Sequence, residues 1–377
     1  MEGAGVLAVN RPKRILVAPL DWGLGHATRC IPIIRELQGR GSDVVIAADG
    51  RPFELLKKEF PALEFVRFPG FSIVYPEGNR IAWKIVSQIP KIIFSIFREH
   101  RELKAIVTDL KIDAVISDNR FGLFSNQVPS IFVTHQIEIA MPKGLQWAAR
   151  IVYLMNKMII RRYTECWIPD YADKENLSGN LSHHYPLPKN GTFIGPLTRF
   201  KRNTTIEKEF DILVLLSGPE PQRTTLETII MEQLKASRFK TLVVRGVPEK
   251  SQHIKLSEWT TVVSSLDSES LNNAMLASDV IISRPGYSTI MDLDKLGKRA
   301  ILIPTPGQTE QEYLAAEFKR QGVFCIQYQA HLSLNKALED AKRYPGLASK
   351  DTISSNFNLC IERLLVRIER KQMAAAR

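Results

Sequence analysis

Residues 20 to 30 read LDWGLGHATRC, directly after the apolar run RILVAPL. Gly23 and Gly25 let main chain approach a bound molecule, and His26 stands at the entry to a helical pattern. An imidazole there can take a proton from an alcohol near neutral pH, and a helix N-terminus favours its neutral form. The third glycine of a dinucleotide fingerprint is missing, so the loop does not match that motif. A second stretch, SRPGYSTIMD at residues 283 to 292, leaves the apolar run DVIIS through Pro-Gly and places Ser288, Thr289 and Asp292 at a helix start. Unpaired N–H groups and partial positive charge at a helix N-terminus can hold a phosphate. The same residues also suit an ordinary capped turn, and this stretch alone does not choose.

Two further loops follow apolar runs in the same way. SGPEPQRTT, residues 217 to 225, offers Ser217, Gly218 and Arg223 for phosphate contact or for a structural turn. PTPGQTEQEYLAAEF, residues 304 to 318, crowds Gln308, Thr309, Glu310, Gln311 and Glu312 at a helix entrance. There they can hydrogen-bond sugar hydroxyls or simply cap the helix.

The elements that must position these loops alternate between short apolar runs and helical patterns. RILVAPL, DVVIAA, DAVISD, SIFVTH and ECWIPD form one series, with helices expected from about His26 and from about Pro52. A Pro-, Gly- and Lys-rich break, YPLPKNGTFIGPLTRFKRNTT, precedes a second series: FDILVLL, KTLVVRG, DVIISRPG, RAILIPTPG and VFCIQY. This rhythm predicts an α/β fold of two parallel-sheet domains. Residues 1–195 are read as one domain and 196–355 as the second. A helix within 356–377 is expected to pack back on the first. Ligands of open α/β sheets bind beyond the carboxyl ends of the strands, so two such edges facing each other define a cleft.

Length and composition set bounds on partners. The chain has 377 residues, 44% hydrophobic and 24% charged, as a soluble two-domain protein should. Its four cysteines are scattered without CxxC spacing, which argues against zinc or a disulfide framework and fits a cytoplasmic location. The first ten residues show no basic region followed by an apolar stretch, so no secretory signal is read. A net charge of +11 asks for an anionic partner. The basic residues are dispersed and no nucleic-acid motif occurs, so nucleic acid is not expected. Two runs, IAWKIVSQIPKIIFSIFREHR and LQWAARIVYLMNKMIIRRY, mix aromatics with Lys and Arg but are too interrupted to span a bilayer. They suit peripheral attachment to the inner face of the plasma membrane, or amphipathic helices packed on their own domain.

The stretch SRPGYSTIMDLDKLGKRAILIPTPGQTEQEYLAAEF resembles the donor-binding signature of GT-B glycosyltransferases of family 28, and GLGHATRCIPIIREL resembles that family's N-terminal Gly-Gly-His loop and helix. The resemblance implies two Rossmann-like domains facing across a cleft. It puts Arg284, Gly286, Ser288 and Thr289 at the diphosphate of a UDP-sugar. It places Asp292, where the family has glutamate, at the ribose hydroxyls. Gln311 and Glu312 take the place of the Gln pair that reads the donor sugar, and Ala315 replaces an asparagine. VTHQIE resembles an acceptor-side segment and implicates His135 and Gln136. SDNRFG, residues 117 to 122, offers Asp118 and Asn119, which also suit capping.

The expected activity is inverting transfer of an N-acetylhexosamine or hexose from UDP to an acceptor hydroxyl, lipid-linked if the membrane reading holds. His26 is the first choice of base, with Asp118 and His135 in reserve. Fixed N–H groups and Arg284 stabilise the departing diphosphate, with no cofactor and no metal expected. The DLD string, Asp292 to Asp294, lies inside an expected helix and not directly after a strand, which argues against a metal-binding DxD. A UDP-sugar 2-epimerase and a non-catalytic nucleotide-sugar-binding subunit are the alternatives.

Overall fold

The computed structural model describes residues 11–70, 81–142, 144–249, 252–348 and 355–375. The first lobe is built on seven strands, β1 (Arg14–Pro19), β2 (Asp43–Ala48), β3 (Glu64–Arg67), β4 (Ala114–Asp118), β5 (Ser130–Val133), β6 (Glu165–Ile168) and β7 (Gly191–Phe193). Its helices are α1 (Leu24–Gly39), α2 (Gly50–Glu59), α3 (Ile81–Asp109), α4 (Ala149–Ile160) and the short α5 (Asn180–His183). All neighbouring strands are parallel, in the order β3-β2-β1-β4-β5-β6-β7. Helices cover both faces of such a sheet, and β1, β2 and β4 accordingly read as almost unbroken apolar runs.

The second lobe repeats the plan with β8 (Phe210–Leu215), β9 (Thr241–Val244), β10 (His253–Lys255), β11 (Thr260–Val263), β12 (Ser278–Ser283), β13 (Arg299–Leu302) and β14 (Cys325–Ile326). Its helices are α6 (Gln222–Leu234), α7 (Ser268–Leu276), α8 (Tyr287–Leu296), α9 (Thr309–Gln321) and α10 (Leu334–Ala341). The order is β10-β11-β9-β8-β12-β13-β14, and only the edge strand β10 runs antiparallel. In both sheets the chain order reverses beside the first strand, at β1/β4 and at β8/β12. These switch points open the crevice in which open α/β sheets hold ligands.

The final helix, α11 (Ser355–Ala375), lies on the first lobe. Asn356 donates to the Phe193 carbonyl at 3.2 Å, and Glu165 receives Arg363 and Arg367 at 3.3 and 3.6 Å. The lobes also touch directly. One buried cluster joins Ala27 and Ile31 of α1 to Tyr287 and Met291 of α8. Tyr287 donates its hydroxyl to the Pro169 carbonyl at 2.9 Å, and Tyr171 donates to Asp294 at 2.7 Å.

Candidate active site

The first switch point brings together two residues that lie 92 positions apart. His26 sits in the first turn of α1, after β1, and Asp118 is the last residue of β4. His26 Nδ1 lies 2.8 Å from Asp118 Oδ1. Nδ1 also lies 2.8 Å from Arg29 Nη2, which only donates; with that guanidinium directed at Asp118, Nδ1 gives its own hydrogen to the carboxylate, which only accepts, and Nε2 keeps its lone pair. Burial works to raise the pKa of Asp118, but the Arg29 guanidinium and His26 outweigh it and hold that pKa down to about 2. Asp118 is therefore held ionised against the imidazole it contacts. Asn119, next in the chain, adopts a left-handed φ of 58° and accepts from Thr134 at 3.0 Å.

Arg29 lies one helical turn beyond His26 and is buried. Its Nε and Nη2 meet both oxygens of Asp118, and its Nη1 stands 2.9 Å from Nδ1 of His135. A guanidinium cannot accept, so His135 Nδ1 is bare and its Nε2–H donates to Glu310 Oε1 at 3.0 Å. Burial, together with Arg29 and His26, lowers the His135 pKa against the opposing pull of Glu310. With both ring nitrogens engaged, His135 is a neutral link between Arg29 and Glu310. Its ring stacks on Tyr287 of α8, with centroids 4.1 Å apart and planes 3° from parallel. Gln136, expected at the acceptor, donates to Glu310 Oε2 at 2.5 Å.

The second switch point supplies the opposite wall. Asp267 caps α7 and Gln308 caps α9, but no side chain caps α8 or α1. The first N–H groups of α8 therefore stay open to an anion. Gly286 at its N-cap has φ −71°, which any residue adopts, so what it contributes is the absence of a side chain over that helix end. Thr289 Oγ1 lies 3.9 Å from where a Gly286 Cβ would stand. Ser288 Oγ donates to the Gly25 carbonyl at 2.8 Å, which joins this helix end to the His26 loop. A Cβ at Gly25 would come 3.1 Å from that Oγ, so a side chain there would press on this contact. Ser217 and Gly218 lie beside β12, and Gly218 takes φ +106° facing Thr305. Among the described residues, Ser283 Oγ, Thr305 Oγ1 and Arg284 Nε are buried without a hydrogen-bond partner. Three orphaned polar atoms at one strand edge mark a place for a ligand.

Several expected donor contacts are occupied otherwise. Arg284 is buried and donates to the carbonyls of Ile303, Pro304 and Gln222 at 3.0, 3.1 and 3.0 Å and to Gln329 Oε1 at 2.6 Å. Its two terminal nitrogens therefore pin the loops together, while its Nε is left without a partner. Arg223 is held by Glu220 and Glu227 at 2.5 and 2.6 Å. Gln311 accepts from Thr305 N and Glu312 from Gly307 N, so both brace the loop before α9. Asp292 accepts from Thr198 of the interlobe segment at 2.5 Å, and burial raises its pKa to about 7 against that bond and Arg199. Its neighbour in the DLD string, Asp294, faces Tyr171 instead.

Sequence reasoning missed Arg29 as a site residue and saw Glu310 only as one of several polar groups at a helix start. A signal for Arg29 existed: a cation three residues after His26 interrupts the apolar face formed by Ala27, Cys30, Ile31 and Ile34. Nothing local reveals Glu310, because its partners belong to the other lobe.

Comparison with known proteins finds glycosyltransferases over both halves of the chain. Residues 224–362 match the glycosyltransferase family 28 C-terminal domain, and residues 13–137 match glycosyl transferase family 1. An uncharacterized glycosyltransferase of Methanosarcina acetivorans is 25% identical over 336 residues, 82% of each chain. The UDP-N-acetylglucosamine–N-acetylmuramyl-(pentapeptide) pyrophosphoryl-undecaprenol N-acetylglucosamine transferase of Sulfurihydrogenibium sp. is 22% identical over 349 residues, 87% of this chain and 90% of that one. Among solved structures, the glycotransferase of kitacinnamycin superposes with a TM-score of 0.58 at 15% identity, covering 96% of each chain. Acinetobacter baumannii MurG does so with a TM-score of 0.53 at 13% identity, covering 94% of this chain and 100% of that one. The chain is a glycosyltransferase of the GT-B fold, family 28-like in its C-terminal half.

Proposed function

We propose that the protein transfers a sugar from a UDP-sugar to an acceptor hydroxyl in one inverting displacement. The observation that carries this reading is the contact between Ser288 and Gly25, which places the uncapped end of α8 one hydrogen bond from the His26 loop. In this reading the diphosphate occupies the α8 end, with Ser288, Thr289 and the orphaned Thr305 hydroxyl beside it. Asp292 exchanges Thr198 for the ribose hydroxyls, and Ser217 and Gly218 line the opposite side. His26 Nε2 takes the proton of the acceptor hydroxyl as that oxygen attacks the anomeric carbon. The bond to the diphosphate breaks, and the charge it leaves is met by fixed N–H groups and hydroxyls without metal. Uridine as the base draws its support from the relatives whose names specify UDP-N-acetylglucosamine. In this reading Asp118 takes the Nδ1 hydrogen and leaves His26 Nε2 as the accepting nitrogen.

The acceptor reading is a lipid-linked hydroxyl presented at an anionic membrane surface. Phe94 and Phe97 of α3 are each 69% exposed, Trp147 is 74% exposed just before α4, and Met158 of α4 is 60% exposed. Lys91, Arg98, Arg150, Arg161 and Arg162 are exposed around them. The two helices meet at Phe124, which stacks on His100 of α3 and lies 5.0 Å beneath the Arg162 guanidinium after α4. Exposed aromatics interleaved with exposed cations along two neighbouring helices suit an interfacial site. Trp83 and Lys84, part of the same run, lie outside the residues whose side chains are described. Among the described residues no helix is long and apolar enough to cross a membrane.

A thermal-shift series with UDP, GDP, dTDP and their sugars tests the donor. A ligand at a hundredfold excess over its Kd stabilises the folded state by about 2.7 kcal/mol. UDP compounds should raise the melting temperature and the others should not. A rise with dTDP or GDP but none with UDP would defeat the uridine assignment.

A further inference from the structure

A base that takes up a proton inside a buried cluster needs a nearby negative charge to balance it. The usual source would be the carboxylate that orients the imidazole, but here that carboxylate is already spent. Arg29 meets both oxygens of Asp118, so the two charges cancel before His26 acts. Within the first lobe alone, protonation of His26 would leave a net positive charge among buried groups.

Glu310 changes that count. It enters from α9 of the other lobe and is held at both oxygens, by His135 Nε2–H at 3.0 Å and by Gln136 Nε2 at 2.5 Å. Because Arg29 donates to His135 Nδ1, the imidazole between them stays neutral and contributes no charge of its own. With Glu310 docked, the cluster of Asp118, Arg29, His135, His26 and Glu310 carries one negative charge before proton transfer and none after it. The charged and titratable groups facing His26 are Asp118 from β4, Arg29 from α1, His135 after β5 and Glu310 from α9, while α8 presents the neutral Ser288 and Tyr287.

We propose that Glu310 is the counter-charge of the base: the donor lobe supplies the carboxylate that lets His26 accept the acceptor's proton, so the base gains its strength only when the lobes meet. The inference rests on the reading of His26 as the base. In the step it supports, the acceptor O–H bond breaks and its proton goes to His26 Nε2. The oxygen's electron pair forms the new bond to the anomeric carbon, and the pair of the old carbon–oxygen bond leaves with the diphosphate. Glu310 touches none of these atoms and acts through His26. Burial favours the protonated acid at Glu310, but the hydrogen bond from His135 and the nearby Arg29 guanidinium work against it, and its pKa is lowered overall.

The test is an NMR titration of the imidazole side chains of the full chain, without substrate, with His26 identified by its loss in His26→Ala. Glu310→Gln keeps an oxygen for His135 and removes only the charge. The His26 midpoint should fall by about half a pH unit or more in this variant. An unchanged or higher midpoint overturns the proposal. A second measurement on the wild-type protein guards against a variant that does not fold. The nitrogen shifts of His135 should show a neutral ring protonated at Nε2 near neutral pH, and a doubly protonated or Nδ1-protonated ring overturns the proposal equally. Failure of the base reading itself is separable, since it appears as retained transfer by His26→Ala and leaves the midpoint comparison intact.

Discussion

Asp292→Asn should stabilise the unliganded protein, and more so as pH rises. In the folded state burial raises the pKa of this carboxyl from 3.8 to about 7, opposed by Thr198 and Arg199. The folded form therefore binds the proton more tightly than the unfolded chain. Stability contributed by the protonated acid is complete below the unfolded pKa and is lost as pH climbs through the folded one. At roughly 1.4 kcal/mol per unit, a shift from 3.8 to about 7 costs up to about 4 kcal/mol above neutrality, and about 1.6 kcal/mol at about pH 5. Asp292 is only half-buried by surface, so solvent screening reduces these figures by about half. Asparagine keeps an oxygen for Thr198 and has no such cost. The gain of the variant over wild type should thus be about 1 kcal/mol larger at about pH 8.5 than at about pH 5, or roughly 2–4 °C in melting temperature. Differential scanning fluorimetry at the two pH values reads this directly. A gain that is equal at both, or that shrinks toward alkaline pH, refutes the argument. A destabilising acid kept at this position also fits a group held for a ligand.

His26→Ala should lower kcat/KM by about a hundredfold or more while leaving the melting temperature close to wild type, because Arg29 still pairs Asp118; near-normal turnover would remove His26 from the mechanism. Arg284→Met should cost about 3 kcal/mol or more by stripping buried carbonyls of their donor, yet change UDP affinity of the folded fraction less than tenfold. A hundredfold loss of UDP affinity at unchanged stability would restore a direct phosphate contact. Replacing Phe94, Phe97 and Trp147 together with Ala should reduce sedimentation with anionic vesicles by more than about tenfold, since each aromatic anchor is worth about 2 kcal/mol when buried. Unchanged binding would show that this face does not meet the bilayer.

The sheet rhythm was legible because parallel strands buried on both faces, such as DVVIAA and DAVISD, are apolar runs that differ sharply from the helices between them. Both lobes and the loops after β1, β8, β12 and β13 follow from that pattern. Helix starts moved by a few residues: α1 begins at Leu24 and α2 at Gly50, where His26 and Pro52 were expected. His26 and Asp118 were each legible as chemistry-bearing residues, but their pairing depends on β1 and β4 being neighbours, which no local pattern encodes. Arginine roles were the least legible. Arg284 sits where a phosphate ligand would be expected, yet three backbone carbonyls left open by neighbouring loops claim its guanidinium. Glu310 gains its meaning only from His135 and Gln136 across the cleft.

A crystal structure with UDP bound tests the central claim most directly. The diphosphate should rest on the open N–H groups of α8 beside Ser288 and Thr289, with the ribose at Asp292 and the leaving side of the phosphate facing His26. Nucleotide bound away from the crevice between the two strand edges, or with its phosphates far from the start of α8, would contradict the account.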